Sequence, residues 1–287
     1  MRDLKRKVTA VPLLLATLFS SACALERRFI FHPEKSIFQT PADVGLAFED
    51  VHFVTEDGVR LNGWYIPHRD AALTLLWCHG NAGNISHRVQ NIRLLHDRIP
   101  VNIFIFDYRG YGRSEGRISE AGTYLDGFAA VEFLRERYGM QPSQLIIFGR
   151  SLGAAVAAEL ATRIESVALI LESPFVSVPE MARAVFPLLP VGRFLSTQYN
   201  TVEKVRRIRT PVFVLHGEED EVVPFAQGRK VFDAAAGPKK FYAIRGAGHN
   251  DTFIVGGEPY YASLREALDW AVRWKKQEEG SLKALRR

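Results

Sequence analysis

Leu145-Ile146-Ile147-Phe148-Gly149-Arg150-Ser151-Leu152-Gly153-Ala154-Ala155-Val156-Ala157-Ala158 is the stretch on which the reading of this chain turns. An apolar run short enough for a buried strand meets Gly-x-Ser-x-Gly, and Ala-rich, helix-forming sequence follows at once. Strand, tight turn and helix in that order are the setting of a nucleophile elbow, a strained turn that lifts a serine hydroxyl above the end of a sheet. The two glycines suit a place where backbones pass too close for side chains. Ser151 would then stand at a helix N-terminus, whose free N–H groups and partial positive charge favour an oxyanion nearby.

The same pattern occurs a second time, in Gly112-Arg113-Ser114-Glu115-Gly116, and context separates the two. The strand before that copy ends near Phe106, and Arg117 follows it where an elbow would have an apolar helix. Ser114 therefore reads as a loop serine.

Outward from the elbow, apolar runs at 73–78, 101–106, 167–171, 212–215 and 241–244 read as buried strands. Residues 48–55 and 59–67 flank Asp57-Gly58, a strong hairpin signal. Between the strands, Val89, Ile92 and Leu95, then Tyr124, Phe128, Val131, Leu134 and Tyr138, recur at helical spacing; a last helix carries Tyr261, Leu264, Leu268 and Val272 inward. This alternation predicts an α/β fold, a mostly parallel sheet covered by helices on both faces. Chemistry in such sheets gathers at the carboxyl ends of the strands. His79-Gly80, Asp107, Ser151, Glu172-Ser173, His216-Gly217 and Gly246-Ala247-Gly248-His249 all follow strands and should share one rim. The alternation breaks at 173–209, where Phe175, Phe186, Leu188, Leu189, Phe194 and Tyr199 stand among several prolines, too apolar for an exposed linker. It reads as a small helical cap over about 174–208, with Phe175, Phe186 and Leu189 as candidate substrate contacts.

The 287 residues, 47% hydrophobic, can bury a full core, and one domain over 26–287 accounts for them. Charge is uneven: the first 22 residues carry +3 and the last fifteen +4, which leaves −2 of the total +5 for the body. No basic face for nucleic acid is indicated. Basic residues precede Val8 to Leu25, a charge-free stretch. That pattern predicts a signal peptide or membrane anchor over 1–25, with this end inside and the body extracytoplasmic. Ala22-Cys23-Ala24 suits a cleavage site, Ser20-Ser21-Ala22-Cys23 resembles a lipoprotein box with Cys23 as the acylated residue, and about 18 apolar residues reach the lower limit of an uncleaved span. A buried N-terminal helix is the plain alternative. Cys78 would remain as a lone small apolar core residue, so no disulfide holds the body.

A serine hydroxyl needs a base within hydrogen-bond reach, itself oriented by a carboxylate. Of eight histidines, His249 lies in a glycine-rich loop between the last strand and the last helix. Glu218, Glu219, Asp220, Glu221 and Asp251 are the candidate carboxylates; Asp220 is preferred because it follows a strand and a turn and precedes a helix opening at Pro224. Oxyanion donors should be the backbone N–H of Leu152 and that of Asn81, with Ala82 as the alternative to Asn81. The histidines show no metal-ligand spacing, and no phosphate loop is present, so neither metal nor cofactor is expected. Asp107 reads as a loop brace for Arg109 or Arg113.

Together, His79-Gly80-Asn81-Ala82-Gly83-Asn84, the turn from Asp107 to Gly116, the elbow, His216-Gly217…Asp220…Val223-Pro224 and Gly248-His249-Asn250 resemble α/β-hydrolase-fold serine hydrolases. The likeness covers residues 28–275 and points to a membrane-anchored, small-capped branch with depalmitoylase-like and bacterial esterase-like members, often given peptidase-like descriptions. It implies a Ser151-Asp220-His249 triad. The first reading of function is a serine hydrolase cleaving carboxylic esters or thioesters through an acyl-enzyme, the apolar cap suggesting a lipid-like acyl substrate and the N-terminal segment attachment to a membrane where such substrates collect. An aminopeptidase or amidase on the same triad is a second reading, with Glu180 and Glu203 as the cap's only acids for a substrate amine. A binding protein that keeps the fold without catalysis is the third.

Overall fold

The computed structural model describes residues 26, 28 and 30–285. The expected signal or anchor segment, with Cys23, lies outside the described residues. Among the described residues no helix is long and apolar enough to cross a membrane.

Among the described residues there are ten strands: β1 (His32–Pro33), β2 (Glu49–Val54), β3 (Arg60–Ile66), β4 (Leu73–Cys78), β5 (Ala82–Gly83), β6 (Val101–Phe106), β7 (Leu145–Arg150), β8 (Ala168–Glu172), β9 (Val212–Gly217) and β10 (Lys239–Ile244). The helices are α1 (Val89–Arg98), α2 (Glu120–Tyr138), α3 (Leu152–Ala161), α4 (Val178–Val185), α5 (Thr201–Val205), α6 (Phe225–Ala234), α7 (Thr252–Val255) and α8 (Gly257–Leu285). Eight strands join one sheet in the order β10-β9-β8-β7-β4-β6-β3-β2, while β1 and β5 form a short parallel pair. From β10 to β6 every neighbour is parallel; β3 and β2 run antiparallel at the other edge. The expected hairpin is β2–β3. Its turn closes through Gly58 N to Thr55 O at 2.9 Å, with Gly58 at φ 81°, a conformation that favours glycine.

The inner strands are apolar throughout because both faces are covered. Leu76, Cys78, Phe104, Phe106, Ile147, Leu169 and Val214 face α2, α3 and α6, where Leu134, Ala157 and Val231 complete the layer. The alternate residues Leu75, Trp77, Ile105, Phe148, Ile170 and Leu215 face α1 and α8, meeting Ile92, Leu95, Tyr261, Leu264 and Leu268. Each fully buried side chain of this size contributes about 1.5–3 kcal/mol. The helix expected at Val89, Ile92 and Leu95 is preceded by a 3-10 turn over Ile85–Arg88, which Asn84 caps: Ser86 N donates to Asn84 Oδ1 at 2.9 Å.

The interval between β8 and β9 does hold short helices, α4, a 3-10 turn (Val191–Phe194) and α5. Its apolar residues are not all covered, however. Val178 and Met181 turn toward the core, and the segment is fastened there by Val178 N to Gln198 O at 2.8 Å and Val176 N to Gln227 Oε1 at 3.0 Å. Beyond them, residues 183–190 are all exposed. The expectation that this interval is too apolar to face solvent is corrected there.

Candidate active site

The elbow explains its own sequence. Ser151 sits at φ 54°, ψ −118°, off the ordinary regions for a side-chain-bearing residue, between β7 and α3. A Cβ on Gly149 would lie 2.2 Å from Gly153 O, and one on Gly153 would lie 2.0 Å from Cys78 O. Neither distance is tolerable, so both glycines are dictated by close backbone approach. Ser151 N donates to Glu172 O at 2.9 Å, which continues the β7–β8 ladder into the turn. Leu152 opens α3, so its N–H has no acceptor within the helix and is available to an anion.

The loop after β4 lies against this turn: a Cβ on Gly80 would be 3.6 Å from Ser151 Cβ. Asn81 follows directly. Its side chain braces the loop, accepting from Tyr111 Oη at 2.9 Å and from His32 N at 3.4 Å and donating to Ile30 O. The oxyanion reading of Asn81 therefore uses its main-chain N–H.

His249 and Asp220 are brought together. The imidazole Nδ1 lies 2.8 Å from Asp220 Oδ2 and 3.0 Å from Oδ1. An ionised carboxylate only accepts, so Nδ1 carries a proton and donates this hydrogen bond. Asp220 also accepts from Val222 N at 3.0 Å and Val223 N at 2.7 Å, and His216 Nε2 is 3.3 Å away. Burial alone would raise the Asp220 pKa, but the hydrogen bonds from His216 and His249 hold it well below the usual carboxylate range. Of the other carboxylates, Glu221 accepts from His249 N at 3.0 Å and Asp251 from Gly248 N at 2.8 Å, while Glu218 and Glu219 are exposed. A Cβ on Gly217 would meet Ala247 O at 2.3 Å, so the acid turn and the histidine loop touch backbone to backbone.

A buried ionic network beneath these loops was not legible as a functional feature. Arg150 Nε lies 3.2 Å from Glu172 Oε1, and the same guanidinium donates to His249 O. Glu172 also accepts from Thr252 Oγ1 at 2.6 Å and from Tyr260 Oη at 2.7 Å. The residue before the nucleophile is thus tied to the carbonyl of the base. The signal was there in outline, a Glu closing the otherwise apolar β8 and an Arg in the elbow's variable position, but nothing in the sequence pairs them.

Among the three expected substrate contacts, Phe175 is buried in the core, whereas Phe186 and Leu189 lie exposed on the cap and join neither apolar core. The chain leaves α4 outward at Val185, which carries both away from the packed layer. Ser114 is buried in its loop, donating to Asp107 O at 2.6 Å and accepting from Asn62 N at 2.9 Å.

Asp107 does not brace an arginine. Arg109 pairs with Asp57 at 2.7 Å and Asp126 at 2.8 Å, and Arg113 with Asp50 at 2.6 Å. Asp107 instead accepts from Ile85 N at 3.0 Å beside His79, and burial pushes its carboxyl up to about 8. Burial likewise keeps His79 neutral, with its pKa pulled down to about 3. Between about pH 4 and pH 8 the folded chain holds the Asp107 proton that the unfolded chain has released. Its contribution to stability is complete below the unfolded pKa and is lost as pH rises, by about 1.4 kcal/mol per pH unit. Urea unfolding of wild type and Asp107→Asn at several pH values should therefore diverge in this direction, with the wild type weakening relative to the variant toward alkaline pH. A difference that stays constant across the range rejects this reading of Asp107.

The chain resembles known proteins over most of its length. A family model described as serine aminopeptidase, S33, matches residues 70–199. The alpha/beta hydrolase domain-containing protein WAV2 of Arabidopsis thaliana is 32% identical over 281 residues, covering 89% of this chain and 91% of its own. Protein bem46 of Schizosaccharomyces pombe is 34% identical over 238 residues, covering 80% and 79%. Among solved structures, the esterase Pf2001 of Pyrococcus furiosus superposes with a TM-score of 0.69 at 25% identity, covering 83% of this chain and 98% of that one. With an elbow between β7 and α3, a mostly parallel sheet, and relatives of this identity and coverage, the chain belongs to the alpha/beta hydrolase family and is a hydrolase.

Proposed function

We propose that the protein is a serine hydrolase that cleaves carboxylic esters or thioesters through an acyl-enzyme. The observation that carries this is the 2.8 Å contact of His249 Nδ1 with Asp220, in a chain whose elbow serine is held in a strained conformation and whose preceding residue, Arg150, donates to His249 O. Ser151 Oγ attacks the acyl carbon and passes its proton to His249 Nε2, while Asp220 stabilises the imidazolium. The oxyanion is held by the main-chain N–H groups of Leu152 and Asn81. The tetrahedral intermediate collapses, His249 returns the proton to the departing alcohol or thiol, and the carbonyl stays on Ser151. Water, deprotonated by His249, then releases the acid and restores the hydroxyl.

An amide-cleaving exopeptidase on the same residues needs a carboxylate for the substrate amine. Glu180 is paired with Arg183 at 3.0 Å and Lys230 at 3.3 Å, and Glu203 with Arg206 at 2.6 Å, so both cap acids are already neutralised. The ester reading is favoured on that ground. Turnover of p-nitrophenyl acyl esters of rising length is expected to exceed turnover of aminoacyl p-nitroanilides by at least about 100-fold, since the acids that would bind the amine are taken. Faster anilide turnover reverses the assignment. The proposal also places the body outside the cytoplasmic membrane, attached through residues 1–25; the mass of the mature N-terminus tests that part.

A further inference from the structure

The cap carries an exposed apolar cluster to which the proposed reaction assigns no role. From Arg183 to Pro190 every residue is exposed, and seven of the eight are apolar. Leu188 is 94% exposed, Val185 62%, Leu189 57% and Phe186 49%; Phe194, on the 3-10 turn, is 81% exposed. That turn packs on α4, where a Cβ on Gly192 would lie 2.7 Å from Pro179 O. The five side chains therefore belong to one substructure. Soluble monomers rarely leave such a cluster bare, and where one exists it marks a contact surface.

Two observations say what the contact is. First, the Glu26 carboxylate binds Ser196 N at 3.1 Å, Ser196 Oγ at 2.9 Å and Thr197 N at 2.7 Å. The residue that directly follows the charge-free stretch Val8 to Leu25 is thus fastened two and three positions beyond Phe194. A stretch with the composition of a membrane segment joins the folded domain beside the apolar cluster. Second, no acidic residue occurs between Glu180 and Glu203, while Arg183 and Arg193 are exposed within that interval. Arg183 is shared with Glu180 at 3.0 Å and Glu26 sits at Ser196 and Thr197, so Arg193 is the exposed cation on the cluster itself; apolar side chains beside such a cation suit the headgroup boundary of an anionic bilayer, where the guanidinium reaches phosphate and the apolar groups enter the acyl region. Leu188 stands out from the surface, so the cluster is shaped to penetrate a soft phase and not to receive a segment.

We infer that the outer face of the cap, Val185, Phe186, Leu188, Leu189 and Phe194 with Arg193, is a bilayer-docking surface that acts alongside the N-terminal segment. Docking there lays the domain down on the lipid at the cap, in place of a body that swings freely on its N-terminus. The inference does not rest on the catalytic assignment, and its test needs no turnover.

The full chain is mixed with phosphatidylcholine–phosphatidylglycerol vesicles that contain a phospholipid with a diazirine on its acyl chain. After irradiation, lipid adducts are mapped by mass spectrometry. Adducts are expected within residues 183–194, and their share of the total should fall about ten-fold in Leu188→Ser/Phe194→Ser, since these two side chains supply the most exposed apolar area. The variant should keep the wild-type melting temperature and wild-type turnover of a short soluble ester. Adducts confined to residues 1–25, or a cap share unchanged in the variant, overturn the inference. So does a vesicle-free crosslink that joins 183–194 to residues 1–25 or to a second copy of the chain, which would identify a protein occupant.

Discussion

Replacing Ser151 by Ala is expected to lower kcat/KM for a p-nitrophenyl ester by about 10,000-fold to a million-fold and to abolish labelling by a fluorophosphonate. The size of the effect follows from what the hydroxyl does: without it no acyl-enzyme forms, and only the oxyanion donors and substrate binding remain. Wild-type protein that escapes the probe, or a variant labelled as strongly as the wild type, rejects Ser151 as nucleophile. Stability gives a second readout. At φ 54°, ψ −118° any side chain is strained, so Ser151→Ala relieves nothing, whereas Ser151→Gly should raise stability by about 1 kcal/mol while losing the same activity. A serine there purely as a turn former would show no such opposition between stability and rate.

The parts of this molecule that the sequence makes readable are those fixed by local pattern. β4 and β6 fall on their expected residues because a strand covered on both faces must be apolar along its whole length, and such runs have sharp ends. The elbow is readable because its two glycines answer to 2.2 and 2.0 Å approaches that any larger residue would forbid. The order of Ser151, Asp220 and His249 is readable because each follows a strand of one parallel sheet, whose topology gathers strand ends on one rim.

What stays hidden depends on pairing between distant segments. Asp107 was expected to hold an arginine because Arg109 and Arg113 are near in sequence, yet both reach partners 17 to 63 positions away, at Asp57, Asp126 and Asp50. The cap misleads for a related reason. Apolar composition says that a segment seeks cover, but not whether the cover is the protein's own core; Val178 and Met181 find it there and Leu188 does not.

The Arg150–Glu172 pair is where a hidden long-range contact bears most directly on catalysis. Both side chains are buried, and the guanidinium spans from Glu172 to the carbonyl of His249. Arg150→Met should cost about 3–5 kcal/mol of stability, because it leaves the Glu172 carboxylate buried with only the hydroxyls of Thr252 and Tyr260 as donors. Adding Glu172→Gln to the same chain removes the stranded charge and should recover most of that loss, as replacement of a whole buried pair often does. Activity should not recover with it. Nothing then holds His249 O, and a base displaced by about 1 Å costs on the order of 100-fold in rate. The double variant is therefore expected to melt near the wild-type temperature yet turn over esters at least about 10-fold more slowly, with the loss in kcat and little change in KM. Such a split separates a group that positions the base from one that only fills the core. If the double variant regains wild-type kcat along with its stability, Arg150 has no part in placing His249.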